Sequence, residues 1–155
     1  MWWVIAVVAV VVAVATYLTW LAARIDRLHA RAAAAYATLD AHLVRRAAAA
    51  VALAEAAQLP TLMYAAKIAL DAQPDDREVA ENDLTRHLRS GFVLEKDVEE
   101  TLVQVSRRVA LARQVHNDVV RDALAARRLR LVRLFRLARK HPIPAYFDVD
   151  DPSLA

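Results

Sequence analysis

Residues 2–23 form one uncharged, apolar stretch, WWVIAVVAVVVAVATYLTWLAA. At a rise of about 1.5 Å per residue, a helix of this length extends about 33 Å, which is enough to cross the hydrocarbon core of a bilayer. Aromatic residues mark both ends, Trp2 and Trp3 at one and Tyr17 and Trp20 at the other. Amphipathic rings settle at the two lipid–water interfaces. The stretch therefore predicts a transmembrane anchor.

A cleaved signal peptide is the main alternative interpretation of residues 2–23. It is disfavoured because no Lys or Arg precedes the apolar run, and because the run is longer than the usual ~7–15 residues. An Ala-x-Ala sequence at residues 13–15 lies in the middle of the run. A buried soluble helix is also disfavoured, since a small domain has no need of a helix that is apolar on every face. A retained anchor is the preferred interpretation.

The residues that flank the anchor predict its orientation. Arg24, Arg27 and Arg31 follow it with only Asp26 among them, and no charged side chain precedes it. Because basic residues stay on the cytoplasmic side, we expect a single-pass protein of the cell membrane with its N-terminus outside and its domain in the cytoplasm. The absence of cysteine excludes disulfides and is compatible with a reducing compartment. The predicted membrane-interface residues are Trp2, Trp3, Tyr17, Trp20, Arg24 and Arg27.

Composition predicts an all-α protein, because Ala, Leu and Arg are abundant and Gly91 is the single glycine. We predict that the anchor continues into an antiparallel helical bundle or coiled coil over residues 24–141, with two long and two short helices. Leu59 is predicted to end the first helix because it precedes Pro60, and Pro60 suits the first turn of the next helix. Gly91 suits a left-handed helix end. The predicted helices are about 24–59, 61–72, 76–89 and 95–140, followed by an extended acidic tail over 142–155.

The fourth predicted helix has a coiled-coil-like seam. Its apolar positions, among them Val98, Val105 and Ala112, alternate four- and three-residue steps, which is a 3.5-residue period. Short connections make neighbouring helices antiparallel. Only the half of the bundle far from the membrane then holds four helices, and a second copy could complete the other half as a homo-oligomer. In the tail, Tyr146 and Phe147 are expected to dock on the bundle while the aspartates stay solvated.

Charge is distributed unevenly. Residues 71–104 hold ten acidic and four basic side chains, whereas 105–141 hold eleven basic and two acidic ones. The densest basic run, RRLRLVRLFRLARK at 127–140, has three interpretations. The first is a solvated outer helix face, the second is contact with anionic lipid headgroups, and the third is nucleic-acid binding. Nucleic acid is not expected because no reader motif accompanies the charge. The candidate lipid-surface residues are Arg133, Arg136, Arg139 and Lys140.

No catalytic or metal-binding motif is recognisable in the sequence. The five histidines form no H-E-x-x-H motif and no Glu-x-x-His pair, and no nucleophile lies beside a base. His116 lies on the predicted seam, where a hydrogen-bonded core histidine is preferred over a ligand or pH switch paired with His42. We therefore predict no cofactor, no metal and no enzymatic activity.

Several polar residues are predicted to fix helix register through inter-helix hydrogen bonds or ion pairs, because such residues more often specify packing than catalysis. They are Asp40 with Arg45 or Arg46, and Arg113 with Asn117 and Asp118. The register and packing candidates are Asp40, Arg45, Arg46, Arg113, His116 and Asn117.

Three segments resemble the LemA family. Tyr36-Ala-Thr-Leu-Asp40 and Leu43-Val-Arg45-Arg46 look like its first long helix, with the pattern D-x-x-L-x-R-R. Residues 81–85, ENDLT, are a second match, and 112–119, ARQVHNDV, are similar to A-R-x-x-Y-N-x-x-V. The chain departs from the family at His116, where Tyr is usual, in its shorter middle helices and in its Arg-rich C-terminal run. The resemblance implies one N-terminal membrane helix, a short outside N-terminus and an antiparallel cytoplasmic bundle, and it supplies no catalytic residues.

The predicted function is a membrane-anchored, non-enzymatic adaptor or scaffold, LemA-like, whose partners are the lipid bilayer and a further protein. The alternative is a membrane-surface protein that binds anionic lipid through its basic C-terminal helix. An enzyme acting on lipid or peptide ranks third.

Overall fold

The computed structural model describes residues 1–90 and 96–150. Within them the chain forms α-helices and no β-strand, which confirms the all-α prediction. The expected left-handed Gly91 and the predicted helix start at residue 95 lie outside the described residues. The helices are α1 (Trp2–Ala56), α2 (Pro60–Asp71), α3 (Arg77–Arg89), α4 (Lys96–Arg127) and α5 (Arg130–Leu134).

Helix α1 contains both the apolar stretch and the first helix of the folded region, without interruption. Residues 1–20 are exposed except for the half-buried Leu18, and burial begins at Leu21 and Ile25. By length and composition, α1 is apolar enough to cross a membrane. An exposed apolar surface of this size is typical of a segment that contacts lipid or another protein.

Helix α1 ends at Ala56, before the predicted boundary at Leu59. Gln58 has a φ angle of 56°, in the left-handed region. The Leu59 N–H donates to the Ala54 carbonyl at 2.9 Å, and the Gln58 N–H donates to that of Glu55 at 3.3 Å. These two bonds are a Schellman ending formed without glycine. Leu59 packs against the nearby core, so its burial offsets the cost of the left-handed residue.

The structure corrects the predicted long helix 95–140. Helix α4 ends at Arg127, and the short helix α5 follows. Arg136 has a φ angle of 53°, and the Leu137 N–H donates to the Val132 carbonyl at 3.0 Å, which makes a second Schellman-type ending. The basic run 127–140 is therefore a short helix and turns rather than one continuous helix.

Tertiary contacts explain why the basic run turns. Val132 and Ala138 are buried in one cluster with Leu21 and Ile25 of α1. Burying a valine side chain contributes about 1.5–3 kcal/mol. The Arg127 guanidinium also donates to the carbonyls of Ala138 and His141, both at 3.2 Å. Buried apolar area and these bonds hold a turn that no proline or glycine marks in the sequence.

The chain forms two compact units. The first comprises Met1–Ala34 with Asp118–Ala145, and the second comprises Ala35–Asn117 with the segment from Tyr146 onward. The first unit is built around the cluster of Leu21, Ile25 and Val132.

The second unit has two core clusters. One lies along an alanine-rich face of α1, where Ala47, Ala50 and Ala54 are buried with residues of α2 and α3. Small side chains let helix backbones approach closely but bury little area per contact. The other cluster joins α1 and α4 to the tail and consists of Leu39, Leu43, Val109, Phe147 and Val149.

Candidate functional site

The aromatic and basic residues at the end of the apolar stretch form a contiguous cluster in the first unit. The Tyr17 and Trp20 rings stack with centroids 5.9 Å apart, and the Arg24 guanidinium lies 5.7 Å from the Trp20 ring centroid. Trp2 and Trp3, at the other end, are exposed. This is the order of residues expected at a lipid–water boundary, with apolar side chains first, then aromatic rings, then arginine.

A groove of about 670 Å³ lies beside this cluster, between α1 and α4. Arginines outnumber its one acidic residue, so the groove suits an anionic group. We call it the basic groove. Its lining residues are Trp20, Arg24, Arg27, Leu28, Arg31, Asp122, Ala125, Ala126 and Leu129.

Three of the four candidate lipid-surface residues, Arg133, Arg136 and Arg139, are exposed and line a second cavity of about 240 Å³. Lys140, the fourth, donates to Asp26 at 2.8 Å. His141 donates to the other Asp26 oxygen, also at 2.8 Å. The Lys140 hydrogen bond, then that of His141, holds the pKa of Asp26 below its usual value. Lys140 thus closes the turn, whereas the arginines are available to a ligand.

Large apolar side chains of α5 and the following turn are exposed beside these arginines. Leu134 is 72% and Phe135 48% exposed. Ala138, three residues after Phe135, is buried instead. Apolar and cationic side chains displayed together are typical of a surface that enters a lipid headgroup layer.

His29 is a buried polar residue that is not among the site candidates predicted from the sequence. Its Nδ1–H donates to the Ile25 carbonyl at 2.9 Å, and its Nε2 accepts from Arg127 at 3.0 Å. Because a carbonyl only accepts and a guanidinium only donates, these partners place the ring hydrogen on Nδ1. The His141 ring stacks on His29 with centroids 4.4 Å apart. These contacts position Arg127 at the turn.

The second unit contains a buried ion pair between α1 and α3. The fully buried Arg46 donates from Nη1 to Glu81 at 3.1 Å and from Nη2 to the Thr85 hydroxyl at 2.8 Å. Asp40 pairs with Arg77 at 3.2 Å, so it too reaches α3. Arg45 is exposed. Arg46 and Asp40 therefore tie α1 to α3.

The energetics of this ion pair are dominated by burial. Loss of water raises the pKa of Glu81 to about 7, although Arg46 favours its ionised form. Burial also lowers the pKa of Arg46. The second carboxylate oxygen of Glu81, Oε1, accepts no hydrogen bond. The ionised form is thus only half satisfied, which explains why burial outweighs the attraction.

The remaining register candidates lie on α4. Asn117 and Arg113 bind the backbone of the tail, at Phe147 and Val149. His116 is buried, and its ring packs edge-on against Tyr36 with centroids 5.7 Å apart. Within residues 1–90 and 96–150, no group of three or more His, Asp or Glu side chains could hold a metal ion.

Sequence reasoning missed several partners of the residues that it singled out. Arg77 and Glu81 were not recognised as buried charges, Glu78 and Asn82 were not connected to the tail, and Val149 was not expected to pack against the bundle. Glu81 and Thr85 lie in the segment ENDLT, so the resemblance was the only signal that could have found them. A comparison with protein-family models, curated proteins and solved structures finds no match to this chain.

Proposed function

We propose that this protein is a single-pass, membrane-anchored helical adaptor, LemA-like and non-enzymatic, whose folded part faces the cytoplasm. The observation that carries this proposal is helix α1. It runs without a break from an exposed apolar segment to the buried alanine face of the second unit. Exposed apolar residues of this number need an apolar phase, and a bilayer provides one.

The proposed relationship to the LemA family is supported by contacts between the segments that resemble it. Arg46 from the first segment binds Glu81 and Thr85 from the second. Asn117 from the third binds the tail backbone. Each resembling segment thus contributes polar side chains to the packing of the second unit.

Topology is the first test of the proposed function. We expect reporter fusions at Ala155, and at a truncation after Ala34, to give a cytoplasmic signal from a membrane-bound protein of full length. The reason is the arginine triplet that follows the apolar stretch. The readout is paired reporters, one active only in the cytoplasm and one only outside it.

A matched variant sharpens the topology test. Replacing Arg24, Arg27 and Arg31 with glutamine and adding three lysines before Trp2 should invert the signal. An exported signal from the unmodified chain, or a cleaved product in soluble fractions, would contradict the proposed orientation or anchor.

A second candidate function is binding of anionic lipid at the membrane surface. It is supported by the basic groove and by Leu134 and Phe135, which are exposed beside Arg133, Arg136 and Arg139. These features lie in the unit that contains the apolar stretch. Here the anionic headgroup, rather than a protein, is the ligand.

Vesicle sedimentation tests lipid binding. Residues 1–19 contribute no buried side chain, so a chain without them retains its core clusters and Trp20 of the basic groove. We expect it to bind vesicles that contain phosphatidylglycerol and to release them as salt rises. The variant R133Q/R136Q/R139Q should bind roughly a hundredfold more weakly, since each of the three basic residues near the surface contributes ~1 kcal/mol.

The control variant R45Q/R107Q/R108Q has the same net charge as R133Q/R136Q/R139Q, but it replaces exposed arginines of the second unit. It should bind as the parent chain does. Equal losses of vesicle affinity in the two triple variants would contradict a specific role of the basic run. Binding to neutral vesicles would contradict it as well.

A further inference from the structure

The tail segment 146–150 has the side-chain alternation of an extended strand. Phe147 and Val149 are buried, whereas Tyr146, Asp148 and Asp150 are exposed. A period of two residues is the signature of an extended backbone with one face against a surface. That surface is formed by Leu39, Leu43 and Val109, which share a core cluster with the two buried tail residues.

Side chains of two helices bind the backbone of this segment. On α4, the Asn117 amide accepts from the Phe147 N–H at 2.9 Å and donates to the Phe147 carbonyl at 3.1 Å. Arg113 donates to the Val149 carbonyl at 2.6 Å. The Asn117 amide thus imitates the paired bonds that a neighbouring strand would make.

On α3, Glu78 accepts from the Asp148 N–H at 3.1 Å, and Asn82 accepts from the Asp150 N–H at 2.8 Å. The segment is therefore held by backbone bonds from two helices and by two apolar side chains between them. We call the surface formed by Leu39, Leu43, Glu78, Asn82, Val109, Arg113 and Asn117 the tail seat.

We propose that the tail seat binds an extended peptide of a partner protein that carries an aromatic, a basic and a β-branched residue in succession. The tail itself occupies the seat as a tethered competitor. The proposal rests on the proposed adaptor function and names the chemistry of its partner. Recognition through backbone bonds, with pockets for alternate side chains, is the mode by which many domains bind extended peptides.

The charge at the centre of the seat indicates why a partner can displace the tail. The Glu78 carboxylate binds the backbone of Asp148, so two acidic residues occupy adjacent positions. An acidic side chain at this position gains no attraction from the Glu78 carboxylate. Asp148 makes no ion pair in residues 1–90 and 96–150 that would offset this. A peptide with Lys or Arg at that position gains attraction to Glu78 instead.

A peptide titration tests the proposal. The probe is a fluorescent peptide PAYFKVD, which is the sequence of residues 144–150 with Asp148→Lys, and the protein is the full chain in detergent. A tethered segment has an effective concentration of the order of mM, so the wild type should bind weakly. The variant F147S/V149S, whose own tail cannot fill the seat, should bind at least tenfold more tightly by fluorescence anisotropy.

Matched controls distinguish binding at the tail seat from nonspecific peptide binding. The variant Y146S/D150S changes exposed tail residues and should bind as weakly as the wild type. The parent peptide PAYFDVD should bind F147S/V149S more weakly than PAYFKVD. Glu78→Gln in that variant should abolish the difference. A peptide with Ser in place of both Phe and Val should not bind.

The proposal is overturned if F147S/V149S keeps its helical content and a cooperative thermal transition but binds no peptide, or if PAYFDVD and PAYFKVD bind equally. If that variant fails to fold, the test is fluorine NMR of the wild type labelled at Phe147. Excess peptide should move its resonance towards that of an exposed ring, and an unchanged resonance overturns the proposal. Neither readout depends on a membrane. A negative peptide titration would therefore not argue against the proposed anchor, and a negative topology test would not argue against the tail seat.

Discussion

Replacing Arg46 with alanine is expected to lower the free energy of unfolding by about 3–5 kcal/mol. Arg46 is fully buried and is the hydrogen-bond partner of Glu81 and Thr85. Its removal leaves a buried carboxyl without its charge partner and opens a cavity between α1 and α3. The measurement is urea unfolding of the full chain in detergent, followed by circular dichroism.

Arg45→Ala is the matched control, because Arg45 is the neighbouring arginine and is exposed. Its effect should stay within about 0.5 kcal/mol. The double variant R46M/E81M should recover most of the lost stability, since apolar side chains of similar size can replace a buried ion pair. Similar losses from Arg45→Ala and Arg46→Ala would show that burial of the Arg46 charge contributes nothing measurable.

Stability is also expected to fall as the pH rises from about 4.5 to about 7, because of Glu81. Burial raises the pKa of Glu81 from 4.5 to about 7 in the folded protein. Between these values the folded state binds more protons than the unfolded state, so raising the pH removes a stabilising proton. The loss attributable to this carboxyl is about 3 kcal/mol by pH 8.

The comparison with Glu81→Gln isolates this effect, since glutamine does not titrate. The difference in unfolding free energy between wild type and Glu81→Gln should change across this pH window. The variant Glu55→Gln removes an exposed carboxylate and should keep the wild-type profile. Other shifted groups act elsewhere: hydrogen bonds lower the pKa of Asp26, and burial raises that of Tyr36 above 10. A pH-independent difference for Glu81→Gln would refute the assignment.

The helical class and the approximate helix positions follow from the sequence, because proline and apolar spacing are local signals. Pro60 opens α2 as expected. The end of α1 was placed too late, because Gln58 takes the left-handed role usually filled by glycine. The turn after Arg127 was missed for another reason. Arg and Leu are good helix formers, and only packing against Leu21 and Ile25 reverses the chain.

The candidate sites were predictable only in part. Arg46 and Asn117 were recognisable from the sequence because they are polar residues within predicted helices. Their partners, Glu81 and the Phe147 backbone, are separated from them by 35 and 30 residues. In the tail, Phe147 is buried as expected, but Tyr146 is 48% exposed and Val149 takes the second buried position. Composition alone does not determine which side chains of an extended segment face the core, because a shift of one residue exchanges the two faces.

The cluster that joins Leu39 and Leu43 to Phe147 and Val149 also has a consequence for biosynthesis. A ribosome adds about 5–20 residues per second, so more than 100 residues separate the emergence of the two sides by roughly 5–20 s. During that interval the α1 side of the cluster has no cover from the tail. The Leu39 and Leu43 side chains of α1 therefore stay without this part of their packing until the tail has been synthesised.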